Sequence, residues 1–150
     1  MKLSKELIDA AGDGDIERIE RLAGEGHDLN LVDDENDEDL LYHFVYGCRE
    51  LDKIRRLIDL GCRPSNQPCK GGTPLIAAVW SKNPEIVKML LDAGANPNVK
   101  GFLGEDDATP LDIVILDLLC DCDTEEEKQA LEKIEAMIRA CGGGRAAPAP

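Results

Sequence analysis

The sequence predicts an all-α solenoid of four helix-turn-helix units with protruding hairpin loops, and two observations carry that prediction. Leu7, Leu41 and Leu75 recur at intervals of 34 residues and Leu111 follows after 36, each opening a short apolar segment. Aromatic residues make up only 3% of the chain, against 43% hydrophobic and 32% charged. The core must therefore be built from Leu, Ile, Val and Ala, a mixture that suits packed helices better than sheets.

The elements follow in order. In the first unit Leu7 to Ala11 reads as a first helix and Ile16 to Ala23 as a second, with Asp15 as N-cap and Gly26 as the stop. The second unit pairs Leu41 to Val45 with Leu51 to Leu60 before Gly61, and its spacing is one residue longer than that of the third, which leaves its register open by one. The third pairs Leu75 to Val79 with Ile86 to Ala93, where Ile86, Met89, Leu90 and Ala93 share one helical face. Asn83 caps that helix, Pro84 sits at its first position and Gly94 ends it. The fourth pairs Leu111 to Ile115 with a longer Ala130 to Ala140, stopped by Gly142, with Thr124 and Glu127 spaced as a capping box. It also carries an insertion of about eleven residues around Leu119 to Glu127. Asn30 to Asp39, Pro64 to Gly72 and Asn96 to Ala108 are rich in turn residues and read as loops or hairpins. One repeat domain is expected over 1–142, with units at about 4–37, 38–71, 72–107 and 108–142, followed by a disordered tail over 143–150.

The stretch Gly72-Thr73-Pro74-Leu75-Ile76-Ala77-Ala78, continued by Pro84 to Asn98, resembles an ankyrin repeat along nearly its whole length. Thr109-Pro110-Leu111-Asp112 repeats the opening, and Ala10 to Asp15 with Gly26 to Asn30 repeat the middle and end in the first unit. The resemblance implies a stack whose first and last units act as caps and whose role is to bind another protein. Two departures stand out. The His that usually follows Thr-Pro-Leu is Ile76 or Asp112, and Lys82 stands where the family usually has Gly, which predicts a re-routed turn.

A net charge of −14 argues against nucleic acid and anionic membranes, both of which select for positive charge. No signal-peptide core or membrane span is found, since Glu6 and Asp9 interrupt the N-terminal segment and the longest apolar runs are short. A cytoplasmic protein with reduced cysteines is expected. Catalysis finds no support. His27 and His43 lie at no catalytic or ligand spacing, the acidic runs read as solvated loops, and no glycine-rich phosphate loop precedes a helix. No cofactor or metal is expected. The alternative is a metal-binding or redox-responsive protein using Cys120, Cys122 and a third cysteine, although zinc wants a second ligand pair.

In the ankyrin family the ends of the first helices and the hairpin tips line one concave face. By position that face takes Asp13, Tyr46, Trp80, Ser81, Leu116 and Asp117. Trp80 is the expected anchor, because a tryptophan on a concave, polar-rimmed surface is the kind of residue that dominates binding energy. Phe102 and Leu103 form the tip of the lengthened third hairpin, while Asp34, Glu35 and Asp37 on the first hairpin and Glu105 and Asp106 on the third supply a negative rim. Such a face suits a basic protein partner. The free chain is expected to be a monomer, and an inhibitor or an immunity protein against a toxin is the narrower role that size and charge suggest.

Overall fold

Among the described residues eight helices form, two to a unit. The computed structural model describes residues 1–65, 67, 70–103, 106–120 and 122–145, with the side chains of 102, 103 and 106 outside the described part. The helices are α1 (Lys5–Gly12), α2 (Ile16–Gly24), α3 (Leu40–Gly47), α4 (Leu51–Asp59), α5 (Pro74–Trp80), α6 (Pro84–Asp92), α7 (Pro110–Cys120) and α8 (Glu125–Ala140). Strands β1 (Gly101–Leu103) and β2 (Asp106–Ala108) pair antiparallel in the third hairpin, and the first hairpin holds a single bridge between Val32 and Asp39.

Every described helix but α4, whose N-cap Glu50 makes no side-chain cap bond, begins where a side chain satisfies a free N–H of its first turn. Ser4, Asp15, Asp39, Thr73, Asn83 and Thr124 each accept a backbone hydrogen bond from the first turn they cap. Pro74 and Pro84 take first-turn positions, where the missing N–H costs nothing. Gly26, Gly61, Gly94 and Gly142 all adopt the left-handed conformation, with φ of 97°, 94°, 96° and 85°. The stops expected after the second helices are therefore the actual stops.

The first helices α1, α3, α5 and α7 pack side by side in one layer, and α2, α4, α6 and α8 form the layer behind them. One continuous core runs between the layers, with Leu7, Leu41, Leu75 and Leu111, the recurring leucines of the four units, all buried. Each such leucine stabilises the stack by roughly 1.5–3 kcal/mol relative to an exposed one. Neighbouring units are also tied by asparagines. Asn30 donates to the Gly61 carbonyl and accepts from the Arg63 N–H, and Asn98 does the same with Gly142 and Gly144.

That repetition moves the end of the fold. Residues 143–145, expected to lie in a disordered tail, hydrogen-bond back: Gly143 N–H to Ile138, Gly144 N–H to Asn98, Thr109 Oγ1 to the Gly144 carbonyl, and Arg145 to Asp112. Gly143 and Gly144 do for the last unit what Cys62 and Arg63 do for the second. The remainder of the expected tail, 146–150, is outside the described residues.

Three further expectations resolve differently. Lys82 does not re-route its turn; it adopts the left-handed conformation itself, with φ 52°, and its N–H closes the end of α5 on Val79. The capping box at Thr124 forms only in part, because Glu127 N–H reaches Thr124 Oγ1 but the Glu127 carboxylate accepts from Asp123. The complete box is at Thr109, where Asp112 N–H donates to Thr109 Oγ1 and Asp112 Oδ2 accepts from Thr109 N–H. In the fourth unit the inserted residues lengthen both helices: α7 has 11 residues against 7 in α5, and α8 has 16 against 9 in α6.

Candidate aromatic face and acidic hairpin

The first-helix layer turns a row of side chains away from the second helices. Tyr46, in the last turn of α3, is 65% exposed and stacks on Tyr42 one turn earlier, with ring centroids 5.9 Å apart and planes inclined at 22°. Tyr42 and Trp80 both close over Gly72. A Cβ on Gly72 would fall 2.5 Å from Tyr42 Cε2 and 3.3 Å from Trp80 Cζ3, so only glycine lets the two rings approach there. Trp80 is half-buried, packed on the core along one side. Along α7 the corresponding face carries Leu116 and Leu119, which are 55% and 78% exposed. A concentration of exposed apolar side chains on one layer marks an interaction surface more specifically than scattered ones do.

Behind the aromatic row lies a buried polar network that organises the first hairpin. Asp33 Oδ1 collects the N–H groups of Glu35, Asn36 and Glu38, and Asp33 Oδ2 meets His43 Nε2 at 2.9 Å. Glu38 Oε1 accepts from Gly72 N–H at 3.1 Å and the Glu38 carboxylate also bonds the Tyr42 side chain. Asp39 caps α3 through the Tyr42 N–H and accepts from Ser65 N–H with its other oxygen. The His43 ring meets Tyr42 edge-on at 5.5 Å. The hairpin is thus wired to the aromatic row through Tyr42.

Burial sets the electrostatics of these three carboxyls in different ways. For Asp39 burial dominates and pushes its carboxyl up to about 6, against the hydrogen bonds from Ser65 and Tyr42. Burial likewise raises Glu38 above the usual carboxylate range, opposed by the Gly72 N–H. Burial also acts on Asp33, but the N–H groups of Asn36 and Glu38 and the His43 ring outweigh it and hold that carboxyl below its ordinary value.

Asp33, Glu38 and His43 place three potential ligand atoms within 4.8 Å of one another, the one such group among the described residues. Every buried side-chain oxygen and nitrogen there has a protein partner, so the group reads as a hairpin clasp rather than as an open coordination site. The cysteines expected to act together are not gathered among the described residues. Cys48 and Cys62 are buried, Cys62 with its thiol pushed up by burial, whereas Cys120 and Cys141 are exposed and Cys122 Sγ donates to the Asp117 carbonyl. Cys69 lies outside the described residues. An open groove between α4 and α6, floored by Leu51, Ile58 and Met89, faces the other way; its walls carry Arg55 and Lys88, already paired with Asp52 and Asp92.

The residues expected at the site fall into three groups. Tyr46 and Trp80 come together through Tyr42, a residue the sequence reading passed over. Asp13, Asp34 and Glu35 are exposed, whereas Asp37 is paired with Lys2 at 3.3 Å and holds a left-handed backbone with φ 57°. Ser81 turns its hydroxyl inward to the Ala78 carbonyl, so it serves the end of α5 instead of the surface, and Asp117 is half-buried. Glu105 lies outside the described residues; Phe102, Leu103 and Asp106 are placed in β1 and β2 by their backbone alone. Leu116, placed on the face by its position in the fourth unit, is exposed, but nothing in the sequence separates the buried Asp33, Glu38 and Asp39 from their exposed neighbours.

Comparison with known proteins agrees with this architecture. The family model described as ankyrin repeats (3 copies) matches residues 7–101. The BTB/POZ domain and ankyrin repeat-containing protein NBCL of Lupinus angustifolius and the regulatory protein NPR5 of Arabidopsis thaliana are each 35% identical over 108 residues, covering 70% of this chain. The chain spans about a fifth of the length of the curated relatives it matches, 20% in both cases. Among solved structures, a chain of the complex between a predatory endopeptidase from Bdellovibrio bacteriovorus and an immunity protein superposes with a TM-score of 0.67 at 25% identity, over 93% of this chain and 66% of that one.

Proposed function

The chain belongs to the ankyrin-repeat family, and from that premise we propose that it binds one protein partner through the first-helix face, without catalysis, and that the partner presents a basic surface. The observation that carries this reading is the aromatic row: Tyr46, exposed and stacked on Tyr42, beside the half-buried Trp80. Rigid aromatic side chains supply contact area at low entropic cost and are enriched at the centres of interfaces. The exposed Asp13, Asp34 and Glu35, with the net charge of −14, supply the complementary field that steers a basic partner to that centre.

The narrower role we favour is that of an inhibitor or immunity protein. It is supported by the likeness to a structure that pairs an endopeptidase with an immunity protein. The free chain is a monomer in this reading, which light scattering of the purified protein checks directly. Immobilised chain should retain a single basic protein from its source cells in stoichiometric amount, and the pair Trp80→Ala and Asp34→Lys should abolish that capture. Unchanged capture by this double variant would place the partner on another surface.

A further inference from the structure

We propose that Tyr42, Tyr46 and Trp80 form a subsite for one arginine side chain of the partner, a refinement that rests on the protein-binding role above. The three rings with a polar edge, out of five aromatic side chains in the chain, converge on one place. Tyr46 and Tyr42 lie nearly parallel, and the Trp80 ring reaches the same glycine that Tyr42 covers. Tyr46, 65% exposed and stacked on Tyr42, offers ring surface on which a planar guanidinium stacks, with Trp80 closing the far side of Gly72.

The charge behind that wall has the matching sign. The Glu38 carboxylate sits beneath Gly72, bonded to its N–H and to the Tyr42 side chain, so a cation above Tyr42 gains from both the ring face and a buried anion. A compact, strongly hydrated ammonium gains less from a stacking surface than a guanidinium does, which favours arginine over lysine. A nucleobase would bring phosphate toward a chain of net charge −14 and is disfavoured for that reason.

The test uses the chain itself, because Trp80 is its one tryptophan and its indole N–H resonance in a ¹⁵N spectrum reports on this place alone. The blocked methylamides of N-acetyl-arginine, N-acetyl-lysine and N-acetyl-leucine are titrated at matched ionic strength into the wild type and into Tyr46→Leu. That substitution spares the core, since Tyr46 is exposed. The arginine derivative should shift the indole resonance saturably and bind about two- to five-fold tighter than the lysine derivative, with Tyr46→Leu losing a similar factor. Equal binding of leucine and arginine would overturn the proposal in favour of a plain apolar anchor. Equal binding of lysine and arginine would reduce it to unspecific charge attraction, and an unchanged affinity in Tyr46→Leu would also overturn it. Each of these leaves partner capture standing. Loss of capture with the arginine response intact would instead remove the protein-binding role.

Discussion

His43 Nε2 meets Asp33 Oδ2 at 2.9 Å, and through that contact the middle of α3 holds the acidic first hairpin in place. The other Asp33 oxygen is occupied by the N–H groups of Glu35, Asn36 and Glu38, so the carboxylate is the hub of the turn. Replacing the ring by a side chain that cannot donate leaves Asp33 Oδ2 buried without a partner. His43→Leu should therefore cost about 1–3 kcal/mol of stability in urea unfolding, the penalty of an unsatisfied buried acceptor. A cost within about 0.3 kcal/mol would mean that the hairpin does not depend on this contact.

Asp39 gives a second prediction, in pH. Its carboxyl ionises near 6 in the folded chain and near 3.8 when unfolded, so the folded state holds a proton that the unfolded state has released. The resulting stabilisation is fully present below about 3.8 and is lost as pH rises through 6. It amounts to roughly 3 kcal/mol at most. Glu38 acts in the same direction, while Asp33, held low, weakens the fold only as pH falls below the ordinary carboxylate range. The chain should accordingly be more stable at pH 5 than at pH 7.5. Asp39→Thr, which restores the cap residue used at Thr73 and Thr109, should remove at least about 1 kcal/mol of that difference. Comparing the two pH values within each protein cancels the lost Ser65 hydrogen bond. An undiminished difference in the variant would show that Asp39 is ionised throughout.

The helix pairs were legible in the sequence because each depends on local rules. The repeated leucines, the caps at Asp15 and Asn83 and the four glycine stops are written in single residues at fixed spacing. The site was legible in part. Trp80 and Tyr46 could be placed on one face by counting from the leucines, but Tyr42 could not, because its role depends on Gly72 arriving from a different unit. The acidic hairpin shows the same limit. In the run from Asp33 to Asp39 the residues look alike, yet Asp33, Glu38 and Asp39 are buried and Asp34 and Glu35 are exposed. What separates them is the approach of His43, Gly72 and Ser65, which no local pattern encodes. Lys82 and Asp112 show the converse: departures from the family pattern that the local backbone absorbs.

The contact between α1 and α3 supplies a third prediction. A Cβ on Gly47 would lie 2.6 Å from the Gly12 carbonyl oxygen and 3.0 Å from Gly12 Cα, both backbone atoms that cannot rotate away. Alanine gains up to about 1 kcal/mol over glycine from helix propensity, but forced overpacking costs about 1–3 kcal/mol, so the clash should win. Gly47→Ala is expected to lower stability by roughly 1–2 kcal/mol. Gly24→Ala is the control. It lies in the last turn of α2 with nothing within 4 Å of the added carbon, and it should leave stability unchanged or raise it by a few tenths of a kcal/mol. Equal effects from the two substitutions would contradict the close approach of α1 and α3.

Lys82 provides the last prediction, since it combines a backbone cost with a side-chain gain. Its φ of 52° costs a non-glycine residue roughly 1–2 kcal/mol. In return its ammonium lies 3.4 Å from Glu127 Oε2, linking the turn after α5 to the first turn of α8, and a partly exposed pair of that kind contributes about 0–1 kcal/mol. Lys82→Gly relieves the backbone and forfeits the pair, so it should raise stability by up to about 1 kcal/mol. Lys82→Ala forfeits the pair and keeps the strain, and should fall at or below the wild type. The order glycine, lysine, alanine in unfolding midpoints is therefore the expected result. Lysine above glycine would show that the tie between the third and fourth units outweighs the strained turn, and that the departure from the family's glycine is a stabilising one.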